Sequence, residues 1–141
     1  MTSWLLDTGP LVAFFDRSDS YHEWAKVIWS QAPVPMLTCE AVLAEASYLL
    51  TERADLPPEK ILALFQRRVI RASFRLEEHA AAVEHLLHKY ADQNIRLADA
   101  CLVRMSEFNR DCKVFTLDTQ EFRIYRRFER QVIPLIAPDR E

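Results

Sequence analysis

The sequence is poor in glycine and cysteine: its 141 residues include one glycine, Gly9, and three cysteines. Cys39, Cys101 and Cys112 are odd in number and lack a Cys-x-x-Cys spacing. This argues against both a disulfide framework and a zinc knuckle. We therefore expect three buried thiols in a reducing compartment.

Long apolar runs and an excess of positive charge are also missing. The apolar N-terminal stretch is broken by Asp7 and Pro10 and has no basic region or small-residue cleavage site, which argues against a signal peptide. No apolar run approaches membrane-spanning length. We expect a cytoplasmic protein without a membrane anchor. The net charge of −3 does not by itself indicate a nucleic-acid binder, although a local basic surface can still serve one.

The pattern of apolar segments predicts one α/β domain over residues 1–141. Half of the residues are hydrophobic, enough for one sizeable core. Strands alternate with helical segments, which predicts a parallel sheet with right-handed crossovers. The strands are expected at 4–6, 36–38, 69–74, 113–118 and 131–136. Six helices are expected, at 10 to about 16, 20 to about 31, 39–50, 56–58 to about 68, 76–90 and 97 to about 105. The second begins with a capping box at Ser20 and is expected to bury Trp24, Val27 and Ile28. The fourth is expected to turn Leu62 inward.

Four acidic residues lie at predicted strand ends or on inward helix faces, where burying a charge is energetically unfavourable. Asp7 and Asp118 end the two most apolar strands, and Glu45 and Asp99 fall on the inward faces of two predicted helices. Asp7 alone has an equally good interpretation as the cap of the helix that Gly9 and Pro10 introduce by a tight turn. If the first and fourth strands are neighbours, all four acids can meet at the carboxyl end of the sheet.

Clustered carboxylates must take up protons or bind cations. Two of them about 5 Å apart repel by roughly 3 kcal/mol at an effective dielectric of about 20. Oxygen-only ligands favour a hard ion such as Mg²⁺ or Mn²⁺, which can activate water for attack on a phosphodiester. Thr8 and Thr116 stand beside strand-end acids and are candidates to orient a carboxylate or water through their hydroxyls.

The ordered set of motifs resembles the PIN domain, in particular the toxins of VapBC-type toxin–antitoxin pairs. The resemblance covers essentially the whole chain and rests on four segments: Leu-Asp-Thr-Gly-Pro-Leu-Val at 6–12, Leu-Ala-Glu-Ala at 43–46, Leu-Ala-Asp-Ala at 97–100 and Thr-Leu-Asp at 116–118.

This resemblance implies a PIN-like three-layer α/β/α sandwich with a central parallel sheet of about five strands. It also implies an Mg²⁺- or Mn²⁺-dependent endoribonuclease that forms a homodimer and is inhibited by a small antitoxin protein. Asp7, Glu45, Asp99 and Asp118 match the acidic metal site, and Thr116 matches a hydroxyl often found before the last acid. Whether Asp92 or Glu121 joins the site stays open.

A run of arginines follows the last acid. Arg123 and Arg126, with Tyr125 between them, are candidates for gripping phosphates and stacking bases of RNA. An ordinary solvated helix face, with ion pairs to Glu121 and Glu129, is an equally good interpretation.

Two other functions remain open at this stage. A non-catalytic RNA-binding or regulatory PIN module is the first, and a broken acid set would favour it. A phosphotransfer protein that uses Asp7 as its nucleophile is the second, but Gly9 stands where such a motif has its second acid.

Overall fold

A computed structural model describes residues 1–138 as a parallel sheet flanked by helices. Its strands and helices are, in chain order, β1 (Ser3–Leu6), α1 (Thr8–Phe15), α2 (His22–Gln31), β2 (Met36–Leu37), α3 (Glu40–Ala54), α4 (Glu59–Gln66), β3 (Ile70–Arg71), α5 (Ala80–Lys89), α6 (Leu97–Phe108), β4 (Cys112–Phe115), α7 (Thr119–Ile124), β5 (Arg126–Arg127), β6 (Gln131–Val132) and β7 (Leu135–Ile136). Short 3₁₀ turns, Leu76–His79 and Ala91–Gln93, precede α5 and α6.

Five strands form the main sheet in the order β3-β2-β1-β4-β7, and every neighbouring pair is parallel. The chain leaves β1 toward one edge through β2 and β3, and then returns to the other side of β1 through β4 and β7. The order therefore reverses between β1 and β4, where ligands are usually bound in open α/β sheets. The prediction of a five-stranded parallel sheet is confirmed.

The single glycine lies inside α1 rather than in a preceding turn. The helix already begins at Thr8, so the expected start at Pro10 is wrong by two residues. A methyl group at Gly9 would stand 3.0 Å from Leu117 Cγ, which is closer than side chains normally approach. Because Leu117 lies between Thr116 and Asp118, this glycine allows α1 to pack against the segment that carries the last acid.

Local details of α2 and α4 differ from the prediction. Tyr21, not Ser20, precedes α2, and no side chain among residues 1–138 caps the start of that helix. Instead, the Asp19 carboxylate accepts a hydrogen bond from the Tyr21 amide. Val27 and Leu62 are exposed rather than buried. The buried stripe of α2 is formed by Ala25 and Trp29.

The third and last predicted strands are shorter than expected. Strand β3 ends at Arg71 because its partner β2 offers only two residues before the chain turns into α3. Residues 131–136 divide: Gln131–Val132 pairs antiparallel with Arg126–Arg127, and only Leu135–Ile136 joins the main sheet. The sequence prediction contains no hairpin here and gives no bounds for a helix after Asp118, where the structure places α7.

The core lies on both sides of β1 and β4, whose buried residues include Leu5, Leu6, Val114 and Phe115. All three cysteines are buried free thiols, as expected. Within residues 1–138, no helix combines the length and apolar character needed to cross a bilayer.

Candidate metal centre

Three of the four predicted acids meet where the strand order reverses. Carboxylate oxygens of Asp7, Asp99 and Asp118 all lie within 4.8 Å of one another. Asp7 directly follows β1, Asp99 lies in the first turn of α6, and Asp118 lies three residues beyond the end of β4. Helix α6 thus points its N-terminal turn at the same edge of the sheet where β1 and β4 end.

Asp7 is both the cap of α1 and the most deeply buried acid of the cluster. Its Oδ1 accepts a hydrogen bond of 2.7 Å from the Thr8 amide, and its Oδ2 accepts one of 2.7 Å from the Thr116 hydroxyl. Its exposed fraction is 2%. Burial, with the nearby charges of Asp118 and Asp99, raises the pKa of Asp7 to about 8, although the hydrogen bonds from Thr116 and Thr8 lower it.

Asp99 is held through one of its two oxygens. The Tyr125 hydroxyl donates to Asp99 Oδ2 at 3.2 Å, and the Arg96 amide donates more weakly to the same atom at 3.4 Å. Burial is the largest cause of the raised pKa of Asp99, and the charges of Asp118 and Glu45 add to it. Among the residues that the structure describes, no hydrogen bond engages Oδ1, so that oxygen is free for a ligand.

Asp118 stands at the exposed rim of the cluster. Its amide donates to the Thr116 hydroxyl at 2.9 Å, so one threonine links the backbone of Asp118 to the carboxylate of Asp7. The loss of hydration on burial is the largest cause of the raised pKa of Asp118. The charges of Glu121 and Glu45 raise this pKa further, while Arg96 lowers it. The prediction that Thr116 orients a carboxylate agrees with this geometry.

Glu45 lies near the cluster but outside its tight group of three. Its Oε1 is 3.6 Å from Arg96 Nη1, and its side chain is 30% exposed. Because Glu45 raises the pKa of both Asp99 and Asp118, its charge acts on the cluster from α3. Arg96, which the sequence interpretation missed, bridges the two sides: its amide contacts Asp99 and its guanidinium contacts Glu45.

The remaining predicted site residues contribute in different ways. The Thr8 hydroxyl is buried and has no hydrogen-bond partner among residues 1–138, whereas its amide holds Asp7. Arg123 is exposed at the end of α7. Arg126 directs Nη1 at the carbonyl oxygens of Ile124 and Tyr125, at 3.2 and 3.1 Å, and so satisfies the end of that helix.

Tyr125 does not fit the expectation of base stacking. It is fully buried, packs edge-on against Tyr90 and Phe122, and gives its hydroxyl to Asp99. Its position among the arginines at 123, 126 and 127 gave no sign of this contact. Asp92 and Glu121 are both exposed.

The donor set suits a hard divalent cation. Three carboxylates converge, one of them buried enough to retain a proton near neutral pH, and each supplies only oxygen. Without a cation, the cluster must hold at least one proton, because like charges at this spacing repel strongly. A divalent ion would satisfy all three carboxylates together.

Comparisons with known proteins agree with this architecture. The chain is 28% identical over 126 residues to Ribonuclease VapC26 of Mycobacterium tuberculosis. The aligned region covers 86% of this chain and 91% of that protein. It resembles the crystal structure of Mycobacterium tuberculosis VapC20, a Sarcin-Ricin loop cleaving toxin, with a TM-score of 0.72 and 20% identity over 94% of this chain and 100% of that one. It also resembles DNA-bound VapBC from Salmonella typhimurium, with a TM-score of 0.56 and 17% identity over 97% of this chain and 98% of that one.

The family model of the PIN domain matches residues 4–127, a span that includes all four predicted acids. The match confirms the resemblance on which the fold prediction depends. This chain belongs to the PIN domain family.

Proposed function

We propose that this protein is a divalent-metal-dependent endoribonuclease and the toxin of a toxin–antitoxin pair. The observation that carries the proposal is the convergence of Asp7, Asp99 and Asp118 within 4.8 Å at the reversal of the strand order. Support for RNA as substrate comes from the similarity to Ribonuclease VapC26 and from the fold shared with VapC20.

Each acid has a distinct role in this proposal. Asp7, fixed by Thr116 and the Thr8 amide, is the buried ligand of Mg²⁺ or Mn²⁺. Asp99 offers its free Oδ1, and Asp118 completes the set from the rim. When bound, the ion supplies an activated water and stabilises charge on the leaving oxygen of a phosphodiester. Glu45 adds negative charge to the site from α3, where it is paired with Arg96.

The protonation of Asp7 affects metal binding. Near pH 7 and without a cation, the raised pKa leaves this carboxyl largely protonated. Loading the site therefore releases a proton, and metal affinity should rise with pH up to about 8.

The partners follow from the same proposal. Similarity to the VapBC assembly from Salmonella typhimurium supports a small antitoxin as the inhibitory partner. We further propose a cytoplasmic homodimer, with Arg123 and Arg126 on the path of the RNA. Sedimentation of the purified chain tests the dimer, and copurification with the product of a small neighbouring reading frame tests the antitoxin.

Cleavage of pooled cellular RNA tests the central proposal. We expect cleavage by the wild type in Mg²⁺ or Mn²⁺, none in EDTA, and a loss of at least 100-fold in Asp99→Asn. Asp92→Asn removes an exposed acid and is the matched control, which should cleave as the wild type does. RNA binding without cleavage under any metal condition would instead favour a non-catalytic RNA-binding module. A phosphoenzyme trapped on Asp7 would favour phosphotransfer.

A further inference from the structure

A polar pocket lies at the opposite end of the sheet from the aspartates. It has a volume of about 580 Å³ and is lined by Arg110, Arg127, Phe128, Arg130 and Gln131. The contacts of Arg127 place the pocket near the start of β4. Its Nη1 donates to the Ser106 carbonyl at 2.9 Å and lies 3.6 Å from the sulfur of Cys112, the first residue of that strand. The three aspartates gather beyond the last residue of that strand.

Within the described part of the chain, Arg127 is a buried cation without an anionic partner. It is 7% exposed, and no carboxylate among residues 1–138 lies within 4.0 Å of its guanidinium. Its Nε is buried and has no hydrogen-bond acceptor within the same span. Buried charges in proteins are normally paired, so an anion bound in the pocket would supply the charge partner that this guanidinium group lacks.

The neighbouring acids are engaged elsewhere. Glu107 accepts from Arg104 at 2.8 Å through one oxygen and from the Phe128 amide at 2.6 Å through the other. Asp111 accepts from the Thr2 hydroxyl, and Glu129 pairs with Lys89. Among residues 1–138, no acidic residue lines the pocket itself.

Phe128 holds two of the arginines together. The guanidinium carbons of Arg110 and Arg127 lie 5.0 and 5.8 Å from the centre of its ring. An aromatic face lets cations gather without neutralising them. Arg130 adds a third positive charge on the exposed side of the pocket.

We propose that this pocket binds a phosphate group. Several guanidinium groups around one opening match the oxygens of phosphate, with which arginine forms paired hydrogen bonds. A free nucleotide and the backbone of an RNA strand both present this chemistry. The RNA source rests on the proposed function, whereas the binding of phosphate itself does not.

Calorimetric titration of the full-length chain tests the proposal. Sodium phosphate, AMP, a ten-nucleotide RNA and, for comparison, sodium acetate are titrated separately in EDTA. Chloride is adjusted to hold ionic strength constant. Arg110→Gln combined with Arg130→Gln removes two exposed charges and should leave the fold intact. Arg53→Gln combined with Arg67→Gln removes two exposed charges elsewhere and is the matched control.

We expect the wild type and the control to bind phosphate with equal affinity. The affinity of the pocket variant for phosphate should be at least tenfold lower. An equal loss for RNA would identify a backbone phosphate as the ligand; a loss confined to phosphate and AMP would identify a free phosphate compound. The proposal is overturned if phosphate binds no better than chloride, if acetate binds as well as phosphate, or if the pocket variant keeps wild-type affinity. Since no cleavage is measured here, failure of the ribonuclease proposal would leave the phosphate result intact.

Discussion

Replacing Asp7 by asparagine should stabilise the metal-free protein, although it removes a residue central to the site. The raised pKa means that the folded protein keeps a proton on Asp7 that the unfolded chain releases above pH 4. Between about pH 4 and 8, the free energy of unfolding of the wild type therefore falls as pH rises, and above that range both states are ionised. Asparagine carries no charge and lacks this dependence.

The size of the effect follows from the shift. At pH 7 the cost of keeping Asp7 protonated is at most about 4 kcal/mol, because one pKa unit corresponds to 1.36 kcal/mol. Asparagine replaces the OH of the protonated carboxyl group, next to Thr116, by a bulkier and weaker NH2 donor, a loss of about 1 kcal/mol. We expect a net gain of about 2–3 kcal/mol, or roughly 6–12 °C in Tm for a domain of this size.

Thermal unfolding in EDTA at pH 5, 6, 7 and 8 measures this gain. The gap between Asp7→Asn and the wild type should widen steadily with pH, while the Asp92→Asn control follows the wild type throughout. Added Mg²⁺ should stabilise the wild type and not Asp7→Asn, because only a site that binds the ion gains from it. The reasoning is refuted if Asp7→Asn is less stable at pH 8, or if the gap does not change with pH.

Three further substitutions test the contacts around the cluster. Thr116→Val should lower the free energy of unfolding in urea by about 1–3 kcal/mol, because it leaves the Asp118 amide without its acceptor. Thr116→Ser should recover most of this loss, and equal stability of the two variants would contradict the prediction. Gly9→Ala should lower the free energy of unfolding by about 1–2 kcal/mol, because the clash of the added methyl group with Leu117 outweighs the higher helix propensity of alanine; a neutral or stabilising result would contradict this. Tyr125→Phe should weaken Mn²⁺ binding about tenfold in calorimetry through its lost hydrogen bond to Asp99, and unchanged affinity would remove Tyr125 from the site.

The sequence predicts the sheet and most of the acid cluster because both depend on strong local patterns. Two apolar strands each lead to an aspartate, and parallel neighbours bring their carboxyl ends to one edge. Asp99 is predictable for a related reason, since it begins the buried face of a helix that the structure also buries.

What the sequence did not predict depends on contacts between distant segments. The side chain of Arg96 reaches Glu45 only because α3 and the start of α6 meet, and Tyr125 reaches Asp99 across the fold. The arginines after Asp118 had two equally good interpretations, an RNA-binding surface and a solvated helix face. A two-residue strand follows α7, and Arg127 turns inward, which neither interpretation predicts. A usable signal for α7 was present: Asp118 followed three residues later by Glu121 is typical of a helix start.

Anomalous diffraction from crystals soaked in Mn²⁺ tests the central claim most directly, namely that the three aspartates form one divalent-metal site. The account predicts a manganese peak in contact with Asp7, Asp99 and Asp118, and no such peak in crystals of Asp7→Asn. A wild-type map without a peak among these carboxylates, or with manganese bound only elsewhere, would contradict it.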